Sequence, residues 1–403
     1  MNLLKISKIT KNIDGEIEIT GSKSETNRLL ILQQFYSNLT IRNYSNSDDS
    51  KVLQKALVSK SSEINVGHAG TAMRFLTAYF SVKENSNIVL TGSERMKNRP
   101  IKILVSALKK LGAEIEYVEK EGYPPIKIVG KKLHDSFVEV DGNVSSQYIS
   151  ALLLIAPTLK NGLKLKFKGE VTSVPYINMT LQLLAELQIK YSWKNDCITV
   201  QPKSKIENKT IVVESDWSSA SYYYSLVALN PNSKAKLSFY KKNSLQGDAE
   251  LAKIYKNFGV ESIFNENSIT LKNIGSVNLQ PLNINLKNAP DIAQTIAVTC
   301  FGLGIGCHLT GLHTLKIKET DRLVALKNEI EKLGGEVAIT NNSLQLRPSS
   351  EIKENIEIST YDDHRMAMAF APLASKVSIA IKDPNVVSKS YPTFWDDFKK
   401  ITS

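Results

Sequence analysis

The apolar positions of the chain follow two alternating patterns. The first is a run of apolar residues, nearly continuous around a helix, that opens on a polar or small cluster. It occurs six times, beginning at Ser24 (SETNRLLIL), Gly70 (GTAMRFLTAYF), Ser145 (SSQYISALLLIA), Ser218 (SSASYYYSLVAL), Asp291 (DIAQTIAVTCFG) and Asp362 (DDHRMAMAFAPLA). After the first interval the copies lie a little over 70 residues apart. A helix that is apolar on every side belongs in an interior, so the pattern predicts six buried helices.

The second pattern is an amphipathic helix followed by two short alternating runs around a tight turn. It appears at 107–130, 183–202, 254–273 and 329–348. Gly112, Gly259 and Gly334 follow the helical part and suit a left-handed C-terminal cap. Alternation such as Val337-Ala-Ile and Leu344-Gln-Leu predicts half-buried strands. Short strands are also predicted at Leu3–Ile9 and Glu16–Thr20. A repeat this long is one supersecondary unit used several times, and six units divide into two domains of three. The expected division is a discontinuous first domain, 1–20 plus 215–403, and a second domain, 21–214. The segments Thr20–Gly21 and Val213–Ser215 are the expected hinges.

Length and composition fit this picture: 403 residues, 42% of them hydrophobic, can bury large cores. No apolar run reaches the roughly 20 residues that span a bilayer, and the first residues lack a signal-peptide pattern. Three cysteines without a CxxC pair predict a reducing compartment. The expectation is a soluble cytoplasmic protein. The net charge of +11 is spread along the chain, with weak aromatic interleaving, which argues against nucleic acid. Arginine is concentrated instead: six of eight, Arg28, Arg74, Arg95, Arg99, Arg322 and Arg365, fall inside the segments below. A planar guanidinium suits carboxylate or phosphate held by a bidentate fork, so small anionic ligands are favoured.

The chemistry-bearing clusters sit at the polar heads of the buried helices. Lys23, Ser24 and Arg28 crowd a helix N-terminus that already favours negative charge, with Ser22 or Ser24 as cap. Gly67, Gly70 and Thr71 permit close backbone approach. Thr91–Pro100 packs Arg95, Lys97 and Arg99 into one loop, which reads either as solvated surface or as a basic lid. Ser145, Ser146 and Gln147 offer uncharged donors and acceptors, as do Ser173 and Tyr176. Lys318 and Arg322, four apart, would share a helix face beside Glu319, either as an exposed ion-paired helix or as a site. Asp291 opens an apolar helix, where a carboxylate needs a partner. Asp362-Asp363-His364-Arg365 and Lys389 complete the set. There is no GxxxxGK[ST] loop, no HExxH and no paired-cysteine metal signature.

Taken together, GSKSETNR, HAGTAMR, RMKNRPI, GNVSSQ, SVPY, DWSSAS, PDIAQTIA, KETDRL, DDHRMAM and the closing DP…K.YP resemble the EPSP synthase (3-phosphoshikimate 1-carboxyvinyltransferase) family, in the family's order and over nearly the whole chain. The resemblance implies a two-domain inside-out α/β barrel of six repeated β/α units, with the active site in the interdomain cleft. It implies transfer of the enolpyruvyl group of phosphoenolpyruvate to the 5-hydroxyl of shikimate 3-phosphate, through a tetrahedral intermediate and with release of phosphate. Carried over residue by residue, it assigns shikimate 3-phosphate to Lys23, Ser24, Arg28, Ser145, Ser146, Gln147, Ser173, Tyr176, Asp291, Thr314 and Lys318. Phosphoenolpyruvate falls to Lys23, Gly70, Thr71, Arg99, Gln147, Glu319, Arg322, His364, Arg365 and Lys389. Catalysis falls to Asp291 as base, Glu319 as proton-transfer group and Lys23.

No metal, cofactor, nucleic acid or membrane is implied; a monomer that also binds glyphosate is. The chain departs from the family at His68 and Thr314, each where Asn is common, and at Phe75, where Pro is common. The hydrogen-bonding replacements imply altered affinity. The related UDP-N-acetylglucosamine enolpyruvyl transferases share the fold but typically carry a cysteine in the loop matching 91–100, and this chain has none. A basic binding protein on an old enzyme fold is the remaining alternative. Acid–base residues beside the cations count against it.

Overall fold

The computed structural model describes residues 2–172, 174–275 and 280–403. The predicted site residue Ser173 lies outside them. The chain divides into two compact units, Met1–Gly21 with Glu214–Ser403, and Ser22–Val213.

Each unit is built on one recurring motif: two parallel strands joined through a buried helix, usually followed by an antiparallel hairpin. In the second unit, Glu63–Asn65 and Asn87–Thr91 run parallel around helix Gly70–Val82, and Ile126–Val129 and Glu114–Tyr117 extend the sheet antiparallel. Phe137–Asp141 and Leu163–Lys168 repeat this around helix Ser146–Ile155, with the hairpin Cys197–Val200 and Tyr191–Lys194. In the first unit, Leu282–Asn285 and Cys307–Thr310 flank helix Ala293–Gly302 and carry the hairpin Ser343–Leu346 and Val337–Ile339. Ile356–Ile358 and Ile379–Lys382 flank helix His364–Phe370, and Leu3–Ile6 alone closes that sheet.

The two remaining motifs explain how one unit is inserted into the other. Strand Asp14–Ile17 pairs parallel with Lys234–Ser238, and helix Trp217–Leu229 precedes the latter. The whole second unit lies between strand and helix. That unit completes its own motif from its two ends: helix Lys23–Phe35 leads into Leu39–Arg42, whose parallel partner Lys209–Val212 closes the unit. Where the chain leaves and returns, Gly21 bridges Ser215, and the Ser215 hydroxyl donates to the Ile19 carbonyl.

The six helices are buried as their patterns predict. Every residue of Trp217–Leu229 but Ser218 is buried, as is every residue of Ala293–Gly302 and His364–Phe370. Gly259 ends the turn Tyr255–Phe258 at φ +74°, a conformation that side chains with a Cβ resist. Among the described residues no helix is long and apolar enough to cross a membrane.

Two local expectations are corrected. The helix expected from Asp291 opens with a 3-10 turn, Pro290–Ile292, and becomes α-helical at Ala293; Pro290 suits such a start because it has no N–H to satisfy. Lys318 and Arg322 do not share a helix face. Asp321 accepts from the N–H groups of Leu323 and Val324 at 3.1 and 3.2 Å, and this cap starts the helix at Arg322. Lys318 precedes it, just after the 3-10 turn His313–Ile317.

Candidate active site

In the first unit the charged residues meet around one guanidinium. Arg322, with its side chain 2% exposed, donates from Nε to Asp363 at 2.6 Å, from Nη1 to Asp291 at 2.9 Å and from Nη2 to Glu319 at 2.8 Å. Lys389 Nζ reaches the other Glu319 oxygen at 2.7 Å. Lys318 Nζ lies 3.5 Å from Asp291 Oδ1, and Arg365 Nη2 lies 3.5 Å from Asp291 Oδ2. Four cations thus meet three carboxylates.

Helix heads place most of these groups. Asp363 caps helix His364–Phe370 by accepting from the Arg365 N–H at 2.9 Å. Arg365 is the second residue of that helix, Arg322 begins its own, and Lys389 ends the 3-10 turn Pro384–Lys389. His364 is buried, with Nδ1 3.5 Å from Asp363. Thr314 lies in the turn His313–Ile317, and its Oγ1 is buried with no hydrogen-bond partner among the described residues.

Burial by itself would raise the Asp291 carboxyl, but Lys318, Arg365 and Arg322 outweigh it and hold the group well below the usual carboxylate range. Burial likewise opposes ionisation of Glu319, and Arg322 and Lys389 reverse the balance. Both carboxylates are therefore ionised at neutral pH. Buried ions are tolerated when each is paired and hydrogen-bonded, and this arrangement leaves two ionised carboxylates close to the partly exposed Lys318 and Lys389.

The second unit carries a different set. Helices Lys23–Phe35 and Gly70–Val82 begin without a side-chain cap bond, so their first N–H groups are left for water or an anion. Neither Ser22 nor Ser24 supplies the cap expected of it. Lys23 Nζ lies 3.6 Å from Asp49 Oδ2. Arg28 is buried inside the helix packing: Nε donates to Thr180 Oγ1 at 2.7 Å, Nη1 to the Ser24 carbonyl at 2.7 Å, and Nη2 to Ser150 Oγ at 2.9 Å and the Tyr176 carbonyl at 3.3 Å. Burial pulls its pKa down to about 10, which leaves it charged. Tyr176 thus meets Arg28 through its backbone. Gln147 Nε2 donates to Thr71 Oγ1 at 3.2 Å, and Ser145 caps helix Ser146–Ile155 by accepting from the Gln147 N–H at 3.3 Å.

The loop 91–100 is tied to the Gly70 helix. Arg74 donates to the carbonyls of Gly70 and Pro100, each at 3.2 Å, and the Tyr148 hydroxyl donates to Pro100 at 2.5 Å. In the same loop Arg99 lies over Gly70: a Cβ there would come within 2.6 Å of Arg99 Nη1. His68 joins the same two segments, with Nδ1 2.8 Å from Ser93 Oγ.

The structure therefore brings Asp291, Lys318, Glu319, Arg322, His364, Arg365 and Lys389 into one unit. Lys23, Ser24, Arg28, Gly70, Thr71, Arg99, Ser145, Ser146, Gln147 and Tyr176 lie in the other. Two contributors were not singled out by the sequence: Asp49 beside Lys23, and Asp248, treated below. Asp363 was named with its cluster, but its pairing with Arg322, 41 positions away, was not. Asp49 lies 26 positions from Lys23 on a separate helix, and only the packing joins them.

The family model described as EPSP synthase (3-phosphoshikimate 1-carboxyvinyltransferase) matches residues 49–398. A 3-phosphoshikimate 1-carboxyvinyltransferase of Bacteroides fragilis is 46% identical over 393 residues, covering 96% of this chain and 95% of the relative. One of Histophilus somni is 34% identical over 438 residues, covering 100% and 99%. Among solved structures, EPSP synthase from Acinetobacter baumannii superposes with a TM-score of 0.81 at 19% identity over 100% of this chain and 98% of that one. The enolpyruvyl transferase NikO from Streptomyces tendae gives 0.76 at 12% identity, covering 99% and 97%. The two structures share the fold; the family model and the near full-length relatives establish more, and on them the chain belongs to the EPSP synthase family.

Proposed function

We infer that this chain transfers the enolpyruvyl group of phosphoenolpyruvate to the 5-hydroxyl of shikimate 3-phosphate, releasing phosphate, on the route to aromatic amino acids. Family membership supports the reaction. The observation that carries the mechanism is Asp291 and Glu319 held ionised on one buried guanidinium, with Lys318, Arg365 and Lys389 beside them.

In the addition step the 5-hydroxyl oxygen attacks C2 of phosphoenolpyruvate, its proton passes to a base, and the C3 methylene gains a proton to become methyl. In the elimination step the methyl loses a proton and phosphate departs from C2. Asp291 is assigned as the base and Glu319 as the group exchanging a proton with C3. Lys23 is assigned to the leaving phosphate, whose charge an ammonium stabilises. A carboxylate held far below its usual pKa is a weak base. Anionic substrates laid against Lys318 and Arg365 offset the cations that depress Asp291, so its basicity rises when the site is filled.

The residue sets of both units are assigned to the same two substrates, as the family pattern implies: Lys318 and the Ser145–Gln147 helix head to shikimate 3-phosphate, Arg99, Arg365 and Lys389 to phosphoenolpyruvate. Glyphosate, a small phosphonate and carboxylate, is proposed to compete for the latter. The test is phosphate release from phosphoenolpyruvate with shikimate 3-phosphate and, separately, with UDP-N-acetylglucosamine. Release with shikimate 3-phosphate alone is expected; release with the UDP-sugar alone would overturn the substrate assignment.

Gly70→Ala tests the phosphoenolpyruvate side. The new methyl displaces the Arg99 guanidinium, the flexible end of a long side chain, so the fold is kept and one charge-assisted contact is lost. At 1.5–3 kcal/mol for such a contact, KM for phosphoenolpyruvate should rise by roughly ten- to a hundredfold, with KM for shikimate 3-phosphate little changed. Inhibition by glyphosate should weaken in parallel. An unchanged KM for phosphoenolpyruvate would remove Arg99 from that site.

A further inference from the structure

Asp248 is a buried carboxyl that the chemistry above does not use. It stands in the 3-10 turn Gly247–Glu250, and its Oδ2 accepts a hydrogen bond from the Ser218 hydroxyl. The Ser218 oxygen in turn accepts from Arg365 Nη2 at 3.2 Å, and that nitrogen lies 3.5 Å from Asp291 Oδ2. Arg365 Nε is buried with no hydrogen-bond partner among the described residues. One nitrogen of the guanidinium is thus anchored to protein acceptors, while another donor of the same plane has none.

We propose that Asp248 and Ser218 are positioning residues for Arg365: they fix its Nη2 so that the rest of the guanidinium plane is presented to the anionic substrate. The inference rests on the assignment of Arg365 to phosphoenolpyruvate. A serine hydroxyl rotates freely until something claims its proton. An ionised Asp248 only accepts, so it draws that proton and leaves an oxygen lone pair for Arg365. Aligning a planar fork in advance spares the ordering that substrate binding would otherwise require.

The direction of the effect separates positioning from bulk electrostatics. Asp248→Asn removes a negative charge near Arg365, and by charge alone it would strengthen the hold on an anion and lower KM. Loss of alignment raises KM. We expect Asp248→Asn and Ser218→Ala each to raise KM for phosphoenolpyruvate about tenfold, the scale of one hydrogen bond to a charged group. KM for shikimate 3-phosphate should stay within about twofold of wild type, and Ser218→Thr, which keeps the hydroxyl, should restore phosphoenolpyruvate binding.

A pH profile gives a second readout. The charged groups facing Asp248 are Asp291, Arg365 and Asp216. Burial first, and then the Asp291 charge, push the Asp248 carboxyl up to about 7, against Arg365 and the Ser218 hydrogen bond. The aligned form requires the carboxylate, so KM for phosphoenolpyruvate should fall as pH rises through about 7. That step should be absent from Asp248→Asn, while the substrate's own phosphate titration remains in both proteins and cancels in the comparison.

Arg365→Ala distinguishes the two levels of the argument. If Arg365→Ala leaves KM for phosphoenolpyruvate unchanged, the assignment of Arg365 fails and the inference with it. If Arg365→Ala raises KM but Asp248→Asn and Ser218→Ala leave it unchanged or lower it, the inference fails alone. If both raise it, and Asp248→Asn adds nothing on top of Arg365→Ala, the positioning role stands. Ser218 is half-buried and its truncation small, so this variant reports even if Asp248→Asn proves unstable.

Discussion

Asp291→Asn is expected to lower kcat for phosphate release from phosphoenolpyruvate and shikimate 3-phosphate by roughly 10²- to 10⁴-fold, the range of a single general base. Asparagine keeps the size of the side chain and one acceptor oxygen, so Arg322 retains a hydrogen-bond partner there as well as its bonds to Glu319 and Asp363. What is lost is the capacity to take a proton. The substitution also removes one negative charge from among Lys318, Arg322 and Arg365, so anionic substrates should bind as tightly as before or more tightly. The signature is a collapse in kcat with KM held or lowered, the pattern of a group that acts in the transition state. Steady-state kinetics with each substrate varied would show it. A kcat near wild type would leave the reaction without its assigned base and move attention to Glu319. A large rise in KM with kcat preserved would make Asp291 a binding residue only.

The motif that builds the fold also explains why so much of the site was legible in the sequence. Each buried helix must bring its polar N-terminal groups to the end of the bundle, because the body of the helix offers them no partner. Candidate residues therefore sit at the same point of five of the six copies: Lys23 and Ser24, Gly70 and Thr71, Ser145 to Gln147, Asp291, and His364 with Arg365. Chemistry-bearing residue types interrupt an apolar run there, and that interruption is visible without a structure. Contacts between copies left no such trace. The Asp248–Ser218–Arg365 relay joins positions 30 and 147 residues apart. Arg28 shows the same limit. Its place in a basic cluster was legible, but the oxygens of Ser24, Ser150, Tyr176 and Thr180 that receive its Nε, Nη1 and Nη2 donors come from three helices, and only the packing brings them together. Lys318 and Arg322 were expected on one helix face beside Glu319: the capping bonds of Asp321 start a new helix between them, Glu319 pairs with Arg322, and both side chains meet at Asp291 Oδ1, a partner the spacing did not announce.

The second large effect is on stability. Arg322→Met should destabilise the protein by about 3–5 kcal/mol at neutral pH, the cost of stranding buried charges by removing their partner. Methionine fills much of the volume, so little of the loss comes from a cavity. It comes instead from Asp291, Glu319 and Asp363, which lose their shared counter-charge. The pH dependence identifies the cause. In the wild type Asp291 and Glu319 are held below the ordinary carboxylate range. Their contribution to stability is present above roughly pH 4, where unfolded carboxylates ionise, and fades as pH falls through the depressed folded values. Without Arg322 the folded carboxyls titrate higher and take up protons sooner, which removes the stranded charge. The deficit of the variant should therefore be greatest near pH 7 and shrink toward pH 4. Denaturant midpoints of both proteins across that range, with unchanged m-values, would measure it. A deficit independent of pH would point to packing and not charge, while a variant as stable as wild type at pH 7 would mean that Lys318, Arg365 and Lys389 hold the carboxylates without Arg322.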